Sequence, residues 1–219
     1  MRPAVLVCLV ALLAAGPDAA WAVPAARTGD LVPLPAPAPV TAPAPRHPDR
    51  PVLVYTTHRR ERYDDGATVG EAAALLAAAI RHVGFRRVTL ALGGGAGPFA
   101  YLQTRATVAA YAWQNPAWLV DVHRDDVAPG VYRGAQILLV VGTRNVLAWR
   151  SLPRARALAA ALAAEAPGLL RGIYLGPGDY NQDLSPAAVL VELGNRDSTR
   201  AEVAAAVPPL ARALAAAAP

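Results

Sequence analysis

The chain contains no lysine and only one cysteine, and these two absences exclude whole classes of chemistry. Cys8 lies inside an apolar run near the amino terminus, so the rest of the 219 residues has no thiol nucleophile and no disulfide. All 21 basic residues are arginine, and with 16 acidic residues they give a formal charge of +5. The arginines are scattered and form no basic block, and we therefore predict no nucleic-acid binding.

Charged residues are also scarce, at 17%, whereas hydrophobic residues make up 54% of the chain. This composition is typical of a globular domain that buries a real core. The familiar short catalytic motifs are missing: there is no H-E-x-x-H, no G-x-S-x-G, no P-loop and no dinucleotide-binding fingerprint. Any active site must therefore be assembled from residues that are distant in sequence.

The amino-terminal stretch predicts an exported protein. Arg2 precedes an apolar run at residues 4–15, and "AWA" at residues 20–22 matches a small-residue cleavage site. We expect residues 1–22 to be a signal peptide, or alternatively an uncleaved anchor at the outer face of the membrane. Residues 23–50 are rich in proline and alanine and predict an extended linker, in which His47 is solvated. The domain is expected at residues 51–219.

From Pro51 onward, short apolar segments alternate with longer helical patterns. This alternation predicts an α/β fold with a mainly parallel sheet and helices on both of its faces. The Pro208-Pro209 pair is predicted to interrupt the last helix. Residues 172–186 are polar and rich in glycine, which predicts a long loop. The predicted strands are PVLVYTTH, RRVTLAL, AWLVDVH, AQILLVVG and AAVLVELG, and the predicted helices are TVGEAAALLAAAIRHVGF, YLQTRATVAAYAWQN, LPRARALAAALAAEAPG and TRAEVAAAVPPLARALAAAA.

Three of the predicted strands end in residues that can carry chemistry. They supply His58, His123 and Glu192, and Glu71 lies at the start of the first helix. Functional groups collect at the carboxyl ends of parallel strands. Two histidines and one carboxylate are a common ligand set for catalytic zinc, and a further carboxylate can move the proton. These residues therefore indicate a candidate zinc centre.

Each of these residues also has a purely structural interpretation. His58 could be a surface loop residue, and His123 could be a strand-end histidine that pairs with a neighbouring aspartate. Glu71 could simply stabilise the helix dipole at an amino-terminal turn. His82 lies in the last turn of the first helix, where a histidine interacts favourably with the helix dipole, and we interpret it as structural.

Several segments resemble, in order, the blocks of the stage II sporulation protein P family. They are VLVYTTHRRERY, TVGEAA, LVDVHRDD, QILLVVGTRN and PGLLRGIYLGPGDYNQDLSPAAVLVELGNRDST, and they extend from about Pro51 to the carboxyl terminus. That family is similar to zinc-dependent N-acetylmuramoyl-L-alanine amidases of α/β fold. Its members cleave the lactyl–L-alanine amide of peptidoglycan and also have endopeptidase activity. They act during engulfment, with a membrane partner and a glycan-cleaving partner.

The resemblance implies roles for individual residues. It makes His58, Glu71 and His123 the Zn²⁺ ligands and Glu192 the catalytic carboxylate, and Glu61 is the rival for the third ligand. The family often has H-T-H in its first block, where this chain has Thr56 in the first position. That departure leaves open a non-catalytic module that binds peptidoglycan. An exported zinc peptidase is a third possibility.

The remaining candidates concern the substrate. Arg124 is expected to contact a peptide carboxylate or the developing oxyanion, or else to pair with a neighbouring aspartate. We expect Asn181, Gln182 and Asp183 to hold the stem peptide through hydrogen bonds, and Asn195 to orient it.

Overall fold

The computed structural model describes residues 44–95, 97 and 99–219. The predicted signal peptide or anchor and most of the predicted linker lie outside these residues. The last linker residues pack against the domain, since Pro45 is buried and the Arg50 guanidinium donates to the Asn115 side chain at 2.7 Å. Within the described residues, no helix has both the length and the apolar character that crossing a membrane requires.

The domain is a six-stranded sheet with four α-helices. The strands are β1 (Val52–Thr56), β2 (Val88–Leu92), β3 (Trp118–Asp125), β4 (Ile137–Gly142), β5 (Leu170–Gly176) and β6 (Ala188–Asn195). The helices are α1 (Val69–His82), α2 (Ala100–Ala112), α3 (Leu152–Glu165) and α4 (Arg200–Ala216), and short 3-10 turns occur at Ala148–Ser151 and Gln182–Leu184.

The sheet has the order β2-β1-β3-β6-β4-β5 and is mainly parallel, as predicted. The β4 strand pairs antiparallel with β6, and β5 is parallel to β4, so these two strands run opposite to the other four described strands. Successive residues of each strand point to opposite faces of the sheet, so the core consists of one part on each face. On one face, α1, α3 and α4 pack on residues such as Val54, Val120 and Val191, and on the other α2 covers Leu53 and Leu119. The prediction of helices on both faces is thus confirmed.

Two local predictions were wrong. The segment 170–176 forms strand β5 rather than part of a long loop, because its apolar residues pair with β4 and pack under α3. The Pro208-Pro209 pair does not interrupt α4, which runs without a break from Arg200 to Ala216. The burial of Leu210 and Leu214 holds the segment after the prolines in helical register despite the lost backbone donors.

Candidate metal centre

The parallel strands bring the predicted residues to one end of the sheet. His58 follows β1 by two residues, and His123 and Glu192 are directly paired partners in the β3–β6 ladder. Glu192 lies on the same face of the sheet as Leu190 because the two residues are two positions apart in an extended strand. His123 and Glu192 are both buried, with exposed fractions of 3% and 2%.

His58, Glu61 and His123 form a compact cluster. The Nδ1 atom of His58 lies 3.4 Å from Glu61 Oε1, and the Nδ1 atom of His123 lies 3.8 Å from Glu61 Oε2. One donor atom from each of the three residues lies within 4.8 Å of the other two. The short turn after β1 thus carries both a histidine and a carboxylate, and the cluster forms without Thr56.

The structure does not bring Glu71 to the two histidines. Its carboxylate accepts a hydrogen bond from the backbone N–H of Thr68 at 2.7 Å and completes a capping box at the start of α1. It also pairs with Arg200 at 2.8 Å on the surface. Helix capping accounts fully for a glutamate three residues after a threonine. Glu61, the predicted rival, takes its place in the candidate ligand set.

A buried carboxylate lies beside His123. Asp121 precedes it by two residues in β3, so both side chains lie on the same face of the sheet. Oδ1 of Asp121 lies 3.3 Å from His123 Nε2, the ring nitrogen that does not face Glu61. The Asp121 carboxylate accepts from Thr57 through both its backbone N–H, at 3.0 Å, and its hydroxyl, at 2.6 Å. These bonds fix Asp121 against the imidazole.

The charge balance of the centre fits a divalent cation. Burial opposes the protonation of His123, but the negative charges of Asp121, Glu61 and Glu192 together raise its pKa to about 10. Burial also raises the pKa of the Glu192 carboxyl far above its usual range, and the nearby His123 offsets only part of this effect. The shift at His123 reflects the negative charge around its imidazole, and the shift at Glu192 reflects mainly its burial. A divalent cation would supply the missing positive charge.

The donor atoms fit a metal as well. The Nδ1 atoms of His58 and His123 both face the Glu61 carboxylate. Within the part of the chain that the structure describes, Oε2 of Glu192, the ladder partner of His123, is buried without a hydrogen-bond partner. Unsatisfied buried polar atoms are costly and indicate a missing ligand or water. Two imidazoles and one carboxylate match the protein ligands of catalytic zinc sites.

Arg124 has ionic and backbone contacts of its own. Its guanidinium pairs with Asp126 at 2.8 Å, which is one of the two predicted roles, and its backbone N–H donates to Glu61 Oε2 at 3.3 Å. The backbone of Arg124 therefore helps to fix the Glu61 carboxylate. The predicted contact with substrate stays a prediction.

The residues predicted to bind substrate have intramolecular partners. The Asn181 amide donates to the backbone oxygen of Tyr101, and Gln182 bridges the backbone of β4 through Val140 and Gly142. Asp183 accepts two hydrogen bonds from Arg105 of α2, at 3.0 and 2.5 Å. The Asn195 amide donates to the backbone oxygen of Tyr132. In this structure all four side chains hold the fold around the centre.

One residue near the centre was missed from the sequence. Tyr101, in the first turn of α2, lies against both histidines, with ring centroids 5.7 Å from His58 and 6.1 Å from His123. No local sequence signal marks it, since its position depends on how α2 packs on the sheet. The pairing of His123 with Asp121 or Asp125 was considered from the sequence, and the structure places Asp121 beside the imidazole, on the face that the strand period of two gives it.

Comparison with solved structures shows a known fold. The N-acetylmuramyl-L-alanine amidase Ami1 from Mycobacterium smegmatis superposes with a TM-score of 0.56 at 15% identity, covering 76% of this chain and 96% of that one. Ami1 from Mycobacterium abscessus gives 0.53 at 17% identity, covering 77% and 97%. An N-acetylmuramoyl-L-alanine amidase from Clostridium difficile 630 gives 0.52 at 11% identity, covering 77% and 95%. The predicted amidase-like fold is confirmed.

The family follows from the sequence comparison. No curated protein matches the chain significantly. The family model of Stage II sporulation protein P (SpoIIP) matches residues 42–215, which is most of the chain and includes the whole candidate centre. The chain therefore belongs to the stage II sporulation protein P family.

Proposed function

We propose that this protein is an exported peptidoglycan hydrolase, a zinc-dependent N-acetylmuramoyl-L-alanine amidase. The observation that carries the proposal is the His58–Glu61–His123 cluster, with the buried Glu192 paired to His123 across the β3–β6 ladder. Family membership and the shared amidase fold support it. Export is supported by the apolar run at residues 4–15, and the boundaries at residues 22 and 50 remain predictions.

His58, Glu61 and His123 would hold the metal. Bound zinc supplies a Lewis acid that polarises a carbonyl and makes water more acidic. Asp121 orients the imidazole of His123, in the way that a carboxylate behind a ligand histidine usually does. The backbone N–H of Arg124 holds the Glu61 carboxylate. The chain thus supplies both a ligand set and the groups that orient it.

Glu192 would move the proton. In its ionised form it accepts a proton from the attacking water, and it then delivers this proton to the amide nitrogen of L-alanine as the C–N bond breaks. An amine cannot leave as an anion, so this delivery is needed. Burial raises the pKa of the Glu192 carboxyl, and a raised pKa makes its ionised form a better base.

The substrate of the proposal is the stem peptide together with the muramyl sugar that bears it. The sequence resemblance further implies endopeptidase activity, a membrane-anchored partner and a glycan-cleaving partner, and these remain predictions. Thr56, where the family often has histidine, favours a second candidate: a module with the same fold that binds peptidoglycan without cleaving it.

The test compares the purified wild type with Glu192→Gln. We would measure bound zinc by elemental analysis and stem peptides released from peptidoglycan by mass spectrometry. The amidase proposal expects about one zinc per chain in both proteins and released peptides with a free L-alanine amino terminus only from the wild type. A folded wild type that binds peptidoglycan but releases nothing in the presence of zinc would support the module instead.

A further inference from the structure

Tyr101 lies in α2 and packs between the candidate metal centre and Tyr180. Its ring is nearly parallel to that of His123, at an angle of 10°, and is tilted by 56° against that of His58. On its other side it contacts Tyr180, with ring centroids 5.7 Å apart. The side chain therefore packs against both histidines and against Tyr180.

The hydroxyl of Tyr101 has nothing to bond to in the described parts of the domain, although it is fully buried. A buried hydroxyl without a partner costs free energy, and such groups cluster where a ligand is missing. The charged groups that act on it most strongly are Asp121 and Glu192, which flank His123. The phenol thus lies in the electrostatic field of the centre, and it is a neutral donor among carboxylates and imidazoles.

The backbone around Tyr101 is fixed by the segment that follows β5. Asn181 donates to the Tyr101 backbone oxygen at 3.1 Å and to the Thr104 hydroxyl at 3.2 Å, and its own amide oxygen accepts from Arg105 at 3.2 Å. Asn181 is buried and adopts a left-handed backbone with φ of 56°. A residue in a strained conformation that bonds a helix terminus in this way fixes the first turn of α2.

We propose that the Tyr101 hydroxyl donates a hydrogen bond to the carbonyl oxygen of the scissile amide, and that Asn181 positions it. This inference rests on the proposed amidase function. When the oxygen of water bonds to the carbonyl carbon, the electron pair of the C=O bond moves onto the carbonyl oxygen. The phenol stabilises that charge without giving up its proton, while Glu192 carries the proton from water to nitrogen. A donor fixed before the reaction and shielded from solvent is effective in this role.

The first test compares Tyr101→Phe with Tyr111→Phe. Tyr111 lies on the same helix, and its hydroxyl already bonds the Thr89 hydroxyl at 2.7 Å, away from the centre. With a soluble disaccharide peptide as substrate, Tyr101→Phe should lower kcat by about 100-fold, as for loss of one oxyanion donor. KM and zinc content should stay within twofold of the wild type. Tyr111→Phe should leave kcat, KM and zinc content unchanged.

The second test asks whether Asn181 acts through Tyr101. Glycine adopts the left-handed backbone easily, so Asn181→Gly removes the side chain with its amide but keeps the backbone conformation. It should lower kcat several-fold in the wild type but have no further effect in the Tyr101→Phe background. If the two effects multiply as independent losses, the positioning role of Asn181 is wrong.

The outcomes separate the two proposals. If wild type and Tyr101→Phe turn over equally, the amidase function stands and the role of Tyr101 is refuted. A variant with an unchanged kcat maximum but a displaced acid limb of its pH profile would make Tyr101 a partner of Glu192, which also contradicts the inference. If the zinc-loaded wild type shows no turnover at all, both proposals fail together.

Discussion

Replacing Glu61 by glutamine tests the assignment of the third metal ligand. The change keeps the size of the side chain and removes the charge that lies between the Nδ1 atoms of His58 and His123, at 3.4 and 3.8 Å. Loss of a residue that only orients a ligand weakens metal binding by about 10–100-fold. Loss of a ligand should therefore weaken zinc binding by at least about 100-fold, which equals roughly 2.7 kcal/mol.

The assay is thermal unfolding with and without zinc. At zinc equal to about 100 times its dissociation constant, binding stabilises the wild type by about 2.7 kcal/mol. For a domain of this size each kcal/mol raises the melting temperature by about 2–4 °C, so we expect a rise of roughly 5–10 °C. At the same zinc concentration Glu61→Gln should gain only about 0.4 kcal/mol, a rise of roughly 1–2 °C.

Glu71→Gln is the matched control. Its carboxylate caps α1 and pairs with Arg200, so the variant should melt lower than the wild type in the absence of zinc. The rise caused by zinc should be the same as in the wild type. The reasoning is refuted if Glu71→Gln abolishes the zinc-dependent rise while Glu61→Gln retains it.

Three further predictions concern the surroundings of the centre. Asp121→Asn should weaken zinc binding by about 10–100-fold in a chelator competition, because the carboxylate behind the ligand imidazole is lost; an unchanged affinity would remove Asp121 from this role. The hydrogen bond from Arg105 lowers the pKa of Asp183 in the folded state. The resulting stabilisation is complete above the ordinary aspartate pKa and is lost as the pH falls through the lower folded pKa. The free energies of unfolding of wild type and Asp183→Asn in denaturant should differ by roughly 1 kcal/mol at pH 7 and begin to converge below about pH 4. Gly94→Ala should cost more than about 2 kcal/mol in the same assay, since a Cβ would lie 1.8 Å from the Thr57 backbone oxygen at a φ of +73°; near-wild-type stability would contradict this packing.

Part of the candidate centre could be predicted from local pattern alone. His123 and Glu192 end apolar strands, and the strand period places them at one edge once the strands are parallel and adjacent. The third ligand could not be chosen this way. Glu61 and Glu71 both follow His58 closely, and the sequence does not show how the turn after β1 folds back on β3. The spacing of Thr68 and Glu71 is nevertheless that of a capping box, which indicates that Glu71 caps α1.

The errors in the fold have a similar cause. The β5 segment contains two glycines and an arginine and lies at the sheet edge, so its apolar pattern is weaker than that of the buried strands. The antiparallel pairing of β4 with β6 depends on the path of the chain across the sheet, which periodicity does not encode. The substrate contacts of Asn181, Gln182 and Asp183 stay predictions. In the folded domain Asn181 and Gln182 bond backbone groups of α2 and β4, and Asp183 pairs with the Arg105 side chain.

The most direct test of the account is hydrolysis of peptidoglycan in ¹⁸O-labelled water, followed by mass spectrometry of the products. Cleavage of the lactyl–L-alanine amide by activated water places one labelled oxygen in the lactyl carboxylate and leaves an unlabelled amine on L-alanine. We predict this pattern for the zinc-loaded wild type and its absence for Glu192→Gln. Label that enters only carboxylates within the peptide would make the protein a peptidase, and no label in any product would contradict a hydrolytic function.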